Sequence, residues 1–344
     1  MAPTDKEVSL CGLLPDQMVQ SLGIQPAFRG KQLFEWIHQK GAQDFDSMTN
    51  LPGELRAMLT ESYGSPLSSR IAEVREDNDG TVKILLQLHD GELIESVLLL
   101  DENGRRTACL SSQIGCSLGC TFCRTGTMGL IRNLTAGEII EQYLHLRGKF
   151  GDIHNIVFMG MGEPLMNLPE VLRAIELFHH PRGLNIGMRR MTISTSGILE
   201  GIDKLAETGL QVRLAVSLIT ADQELRAQLM PIARSVRLEK LQAALVRFQQ
   251  AQGRRITLEY VIFHRRNTRP EDIEALVRFI KPLQVLVNLI PWNPVEGMNF
   301  QEPSEQEVKQ FQQALEQRGI TTSRRYRRGR GINGACGQLA VDYR

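Results

Sequence analysis

Cys116-Ser117-Leu118-Gly119-Cys120-Thr121-Phe122-Cys123 decides the reading of this 344-residue chain. Three thiolates at C-x3-C-x2-C spacing on one tight loop can each hold one iron of a cubane cluster, leaving the fourth iron without a protein ligand. A structural zinc site is the plainer alternative. Such sites usually show two C-x2-C-like pairs or added histidines at ligand spacing, and the sequence has no second pair. Of the six cysteines, four fall between Cys109 and Cys123. That crowding speaks for metal or redox chemistry in a reducing compartment and against a secreted disulfide scaffold.

Outward from the loop, the pattern alternates. Strand-like runs occupy 108–112, 153–158, 191–195, 212–217, 256–262 and 285–290, and amphipathic segments begin near Thr135, Leu168, Gly197, Leu238, Pro270 and Ser304. Thr135 with Glu138 before Ile139-Ile140 is a capping box. Six such units predict an α/β fold, a partial (β/α)6 barrel with its chemistry at the C-terminal ends of the strands. The cysteine loop follows the first strand and precedes the capped helix, as that position requires. Residues 14–63 read as a helical module. Runs at 81–88 and 92–100, joined by His89-Asp90-Gly91, read as a small antiparallel β extension, with Asn78-Asp79-Gly80 an earlier turn. The expected division is 1–65 helical module, 66–106 β extension, and 107–344 barrel with a C-terminal cysteine loop.

Composition narrows the class. Hydrophobic residues make up 42% and charged residues 23% of the chain, which excludes disordered and fibrous proteins. The longest apolar runs are too short to cross a bilayer, and the N-terminus has no apolar leader core, so no membrane partner and a cytoplasmic location are expected. Net charge is only +1, yet Arg318, Arg324, Arg325, Arg327, Arg328 and Arg330 crowd around Tyr326. Such a run can engage phosphates and stack on bases, or it can be a solvated basic face.

An iron with an open site is what S-adenosylmethionine (SAM) chemistry requires, because the methionine amino and carboxylate groups can chelate it. The protein then holds the cofactor and excludes competing reactions. Met159-Gly160-Met161-Gly162-Glu163-Pro164 ends the second predicted strand. Its glycines would let backbone approach a ligand, and Glu163 could accept from a cationic amino group. Ser194 and Ser196 at the end of the third strand, and Ser217 at the end of the fourth, could bond ribose or carboxylate oxygens. Without the cysteine loop these would be an ordinary turn and ordinary helix caps.

The blocks TACLSSQIGCSLGCTFCRTGTMGLI at 107–131, MGMGEPLMN at 159–167, TISTSG at 192–197, NLIPWNP at 288–294 and ACGQL at 335–339, with KQLFEWIHQ at 31–39, resemble the RlmN/Cfr family. Those are radical-SAM methyltransferases acting on carbon 2 or carbon 8 of an adenine in RNA. The resemblance covers nearly the whole chain, with the blocks in family order. It implies one 4Fe-4S cluster on Cys116, Cys120 and Cys123, and SAM contacts by Gly162, Glu163, Pro164, Ser194, Ser196, Ser217 and Asn293. Two SAM are used per turnover. Cys336 would carry a methyl group from the first, and the second would supply the radical that activates it. Cys109 would release the methylated RNA by forming a disulfide with Cys336, to be reduced each cycle. Glu95 aligns with a glutamate proposed to move protons. Ribosomal RNA, or transfer RNA, is the implied substrate, with a flavodoxin-like or other low-potential reductant and a monomeric enzyme.

The chain departs from the family pattern at Ile219 (usually histidine), at Arg124 (usually serine or alanine) and at Gly331-Ile332-Asn333-Gly334-Ala335 (often Asp-Ile-Asp-Ala-Ala). These changes put the RNA target and the methylated atom in doubt. Two other readings stand beside the leading one: a radical-SAM enzyme on a non-RNA substrate, and a non-catalytic iron–sulfur or zinc RNA-binding protein.

Overall fold

The computed structural model describes residues 9–325 and 328–341. Strands β1 (Arg70–Glu76), β2 (Val82–Gln87), β3 (Leu93–Leu100), β4 (Arg106–Cys109), β5 (Gln113–Cys116), β6 (Gly129–Asn133), β7 (Asn155–Phe158), β8 (Met191–Thr195), β9 (Arg213–Ser217), β10 (Ile256–Ile262), β11 (Val285–Pro291) and β12 (Thr322–Arg324) form two sheets. The larger runs β1-β2-β3-β4-β7-β8-β9-β10-β11-β12, antiparallel up to β4 and parallel beyond it. Strands β5 and β6 form a separate hairpin that carries the first cysteine of the loop.

Six strands alternate with helices Ala136–Phe150, Leu168–His179, Leu199–Glu207, Leu238–Gln252, Pro270–Ile280 and Glu305–Glu316, each following its strand. Parallel strands need such crossovers, and the buried strands, such as Ile256–Ile262, are nearly all apolar. The capping box forms, with Thr135 Oγ1 accepting from the Glu138 amide and Glu138 accepting from the Thr135 amide.

Two expectations change. The β extension is not a separate body: β3 pairs directly with β4, so β1–β3 continue the barrel sheet. Strands β1, β5, β6 and β12 were not anticipated. Arg70–Glu76 is mostly exposed, and its charges hide the alternation on which a strand reading depends. Among the described residues, no helix is long and apolar enough to cross a membrane.

The N-terminal helices Pro15–Leu22, Phe28–Phe34 and Gly53–Tyr63 share the barrel's apolar core, and one buried carboxylate ties down the chain on either side of them. Glu141, fully buried on the first barrel helix, accepts from Ser9 Oγ (2.5 Å), the Ser68 amide and hydroxyl (3.0 and 2.8 Å), the Ser69 amide (2.7 Å) and the Ser69 hydroxyl. Both ends of the helical module are thereby tied to the barrel. Bonds to a charged acceptor contribute about 1.5–3 kcal/mol each when a single partner is lost. Glu141→Gln turns an acceptor toward N–H donors into a donor, so an unfolding free energy lower by about 2–3 kcal/mol is expected in a denaturant titration of the cluster-free protein.

Candidate active site

Cys116 ends β5, Cys120 lies in the turn, and Cys123 immediately precedes the short helix Arg124–Thr127. All three line a cavity of about 130 Å³ at the C-terminal ends of the barrel strands. Leu118, Ile219, Met230 and Val261 complete its apolar wall. Burial pushes the Cys116 thiol up to about 11 and Cys120 further, and neighbouring thiols add to both shifts. Sulfur in such a wall ionises only when a positive centre compensates it.

The three thiols line one cavity. In a cubane each thiolate takes a different iron, so three cysteines around a single cavity are a donor set that fits the cluster.

Gly162, Glu163, Pro164, Ser194, Ser196 and Ser217 line the same cavity as the thiols. Glu163 is already engaged, since it accepts from the Leu165 amide at 3.1 Å and the Ser196 amide at 2.7 Å, joining the ends of β7 and β8. Burial raises its pKa, and those amides oppose the rise. The glycines of this turn answer a second need, because a Cβ on Gly162 would lie 2.5 Å from Gln113 Cβ and one on Gly160 2.7 Å from Ser111 N. They let the turn press against the chain leading into the cysteine loop.

Ile219 occupies the left-handed region at φ 67°, costly for a β-branched residue. Its amide donates to Glu259 O and its carbonyl accepts from Asn267 Nδ2, so both neighbours impose the conformation. The departure thus places an apolar side chain on the cavity wall.

A second cavity, about 460 Å³, opens beside the first. It is lined by Cys109, Asn288, Asn293 and Arg328. Cys336 and Arg325 line both cavities. Asn293 Nδ2 donates to Cys336 O at 3.2 Å, and its buried Oδ1 has no protein partner. Asn293 therefore faces the larger cavity, beside the cysteine, rather than the thiol-lined one.

Arg325 sets the charge of this wall. Burial opposes its charge, but Cys336, Glu259 and Cys109 outweigh burial and its pKa rises. Burial pushes Cys109 up to about 12, with Arg325 pulling it down. Cys336 is likewise raised by burial and lowered by Arg325. All six cysteines are free thiols, so the Cys109–Cys336 disulfide expected during turnover is not formed in this structure.

The basic run disperses. Arg318 pairs with Glu274, Arg324 with Glu305 and Arg330 with Glu302, while Arg325 turns inward to the cysteines. Tyr326 and Arg327 lie outside the described residues. Glu95 lines neither cavity: it pairs with Lys83 at 2.7 Å and accepts from the Ala340 amide at 3.0 Å. Arg226 escaped the sequence reading. Fully buried, it donates to Leu218 O and Ser196 O, tying the ends of β8 and β9 beneath the cavity. Its only sequence signal was a charge at an apolar helix position.

A partial barrel with three thiols and a glycine-rich turn around one cavity at its strand ends defines a radical-SAM enzyme. The radical SAM superfamily model matches residues 110–280, and that of the ribosomal RNA large subunit methyltransferase N-terminal domain matches residues 10–63. A probable dual-specificity RNA methyltransferase RlmN from Treponema pallidum is 46% identical over 331 residues, covering 96% of this chain and 97% of that protein. The dual-specificity RNA methyltransferase RlmN of Lawsonia intracellularis is 45% identical over 330 residues, covering 93% and 92%. The crystal structure of a radical SAM methyltransferase from Sphaerobacter thermophilus superimposes with a TM-score of 0.91 at 40% identity, covering 96% of this chain and 99% of that one. The chain belongs to the RlmN/Cfr family of radical-SAM RNA methyltransferases.

Iodoacetamide should modify Cys336, which is exposed to the cavity, ahead of Cys109, which is 7% exposed. A cation beside a thiol favours the thiolate, so Arg325→Gln should move both reactivity profiles to higher pH. Peptide mass mapping across a pH series reads both shifts.

Proposed function

We propose that this enzyme methylates carbon 2 or carbon 8 of an adenine in RNA, with ribosomal RNA as substrate and transfer RNA as a second. The observation that carries the reading is the position of Cys336 on the wall common to two cavities. A methyl carrier must meet SAM on one side and the base on the other. The larger cavity, at about 460 Å³, falls in the range of small-molecule pockets and suits a base turned out of its stack. The relatives named as dual-specificity RNA methyltransferases support two RNA classes.

Cys116, Cys120 and Cys123 would hold the cluster, and Gly162, Glu163, Pro164, Ser194, Ser196 and Ser217 would cradle SAM against it. The cluster, when bound, supplies the electron that splits a second SAM into methionine and a 5′-deoxyadenosyl radical. Cys336 Sγ takes a methyl group from the first SAM by displacement, releasing S-adenosylhomocysteine. Arg325 favours the thiolate form needed for that attack. The 5′-deoxyadenosyl radical takes a hydrogen atom from the Cys336 S-methyl group, and the methylene radical adds to the adenine carbon. That carbon then loses its hydrogen as a proton together with one electron, which passes back to the low-potential donor. Cys109 then attacks Cys336 Sγ. The S–C bond breaks, its electron pair and a proton stay with the methylated base, and the two sulfurs leave as a disulfide. A low-potential, flavodoxin-like donor would supply the cluster's electron, and external thiols the two that reopen the disulfide. Asn293 anchors the Cys336 carbonyl during these changes.

The two cysteines should fail differently. Cys336→Ala should show no methylated cysteine and no modified RNA. Cys109→Ala should still be methylated on Cys336 and should accumulate covalently attached RNA, read by intact-protein mass spectrometry. Free turnover by Cys109→Ala, with no RNA adduct, would remove Cys109 from the release step.

A further inference from the structure

The segment bearing Cys336 is irregular: a 3-10 turn at Arg330–Ile332 and then loop. Polar groups in such a segment, backbone donors and acceptors alike, need partners from elsewhere. On one side they come from the cluster loop and the turn after β11. Arg124 N donates to Gly337 O at 2.8 Å, Gln338 Nε2 to Pro294 O at 2.8 Å, and Thr125 Oγ1 to Leu339 O.

On the other side they come from β1–β3, about 250 residues earlier in the chain. Asp79 Oδ2 accepts from the Gly329 amide at 2.9 Å, and Asp77 Oδ2 from the Gly331 amide at 2.9 Å. Lys83 Nζ donates to Asn333 O at 3.3 Å. Glu95, paired with Lys83, accepts from the Ala340 amide. These four side chains bracket Cys336, three before it and one after. Lys83 and Glu95 are each at most 8% exposed, so neither is a casual surface contact.

We propose that the β1–β2 turn and strands β2 and β3 form a clasp in which Asp77, Asp79, Lys83 and Glu95 are positioning residues that set where the Cys336 thiol sits between the two cavities. The clasp gives the antiparallel strands a task in this enzyme: they hold the carrier loop from behind while the cluster loop holds it from the front. It also accounts for one departure from the family pattern. A Cβ at Gly331 would lie 3.0 Å from Asp77 Oδ1 and 3.4 Å from Asp77 Oδ2. An aspartate at 331 would set carboxylate against carboxylate. Asp77 and Gly331 are therefore a matched pair, in which the acid stands on the turn and the loop leaves room for it.

A carrier thiol that is out of place lets the radical form without reaching its target, and misplacing a reacting group by about 1 Å can cost up to about 10²-fold. Because the clasp rests on the methyl-carrier reading of Cys336, its test needs two independent readouts. Hydrogen exchange of peptides covering 328–341 reports the contacts. The ratio of 5′-deoxyadenosine formed to adenine methylated reports positioning, which a merely structural weakening would not change selectively.

In the reconstituted enzyme with an RNA substrate, Asp77→Ala/Asp79→Ala should speed exchange in that segment and raise the ratio roughly tenfold. The cluster absorbance should be kept. Gly331→Asp should raise the ratio above that of Asp77→Ala alone. Adding Asp77→Ala to it should bring the ratio down to that of Asp77→Ala, because the repulsion is gone while the Asp77 contact is still missing. Unchanged exchange in the double variant overturns the contacts, and faster exchange with an unchanged ratio overturns the positioning role. Should the double variant lose its cluster, the Gly331→Asp pair decides: no relief by Asp77→Ala refutes the matched pair. A wild-type enzyme that cleaves SAM but methylates no RNA would refute the functional reading alone, leaving the exchange result to stand for the clasp.

Discussion

Three sulfur atoms sunk in an apolar wall are the constraint on which this structure turns. Cys116 and Cys120 are each 8% exposed, and burial drives their pKa values upward. Thiolates there require a compensating positive centre, and the loop must be stiff enough to present all three. The antiparallel β5–β6 hairpin stiffens the loop through its own ladder, and the carboxylate of Glu163 and the guanidinium of Arg226 add to it by joining the loops at the ends of β7, β8 and β9. Both side chains use backbone groups that a parallel sheet leaves unpaired at its C-terminal edge. That edge is where parallel α/β folds collect their chemistry.

Beyond the thiols, a cation stands where the two cavities meet. Arg325 stands between two cysteines and Glu259, and lines both cavities. The same residue type that would bind phosphate on the surface here tunes sulfur in the interior. Its neighbours Arg324 and Arg330 are neutralised by Glu305 and Glu302. A run of arginines in sequence is thus divided by β12 and the following turn into separate tasks, because successive residues of an extended chain face opposite ways.

Much of this was legible beforehand because its signals are local. The six alternating units, the capping box at Thr135 and the Asp90-Gly91 hairpin all rest on short-range periodicity or turn chemistry, and the structure contains them. Strand β1 was missed because most of its residues face water. Arg226 was missed because a lone charge in a helix gives no hint that the fold will bury it. Glu95 illustrates a subtler gap. Its sequence position put it near the substrate, while in the fold it holds Lys83 and the Ala340 amide behind the carrier loop.

The sequence by itself determined the class of fold and the family to which the chain belongs. Each of those depends on spacing within a few residues or on a block with a fixed order. Only the tertiary structure decided that Cys336 stands on a wall between two cavities, that Arg325 accompanies it, and that acids from the far end of the sheet grip its loop. The last of these relations joins residues about 250 positions apart through backbone amides, which carry no residue-specific signal. Their pairing comes into existence only when the sheet closes around the loop.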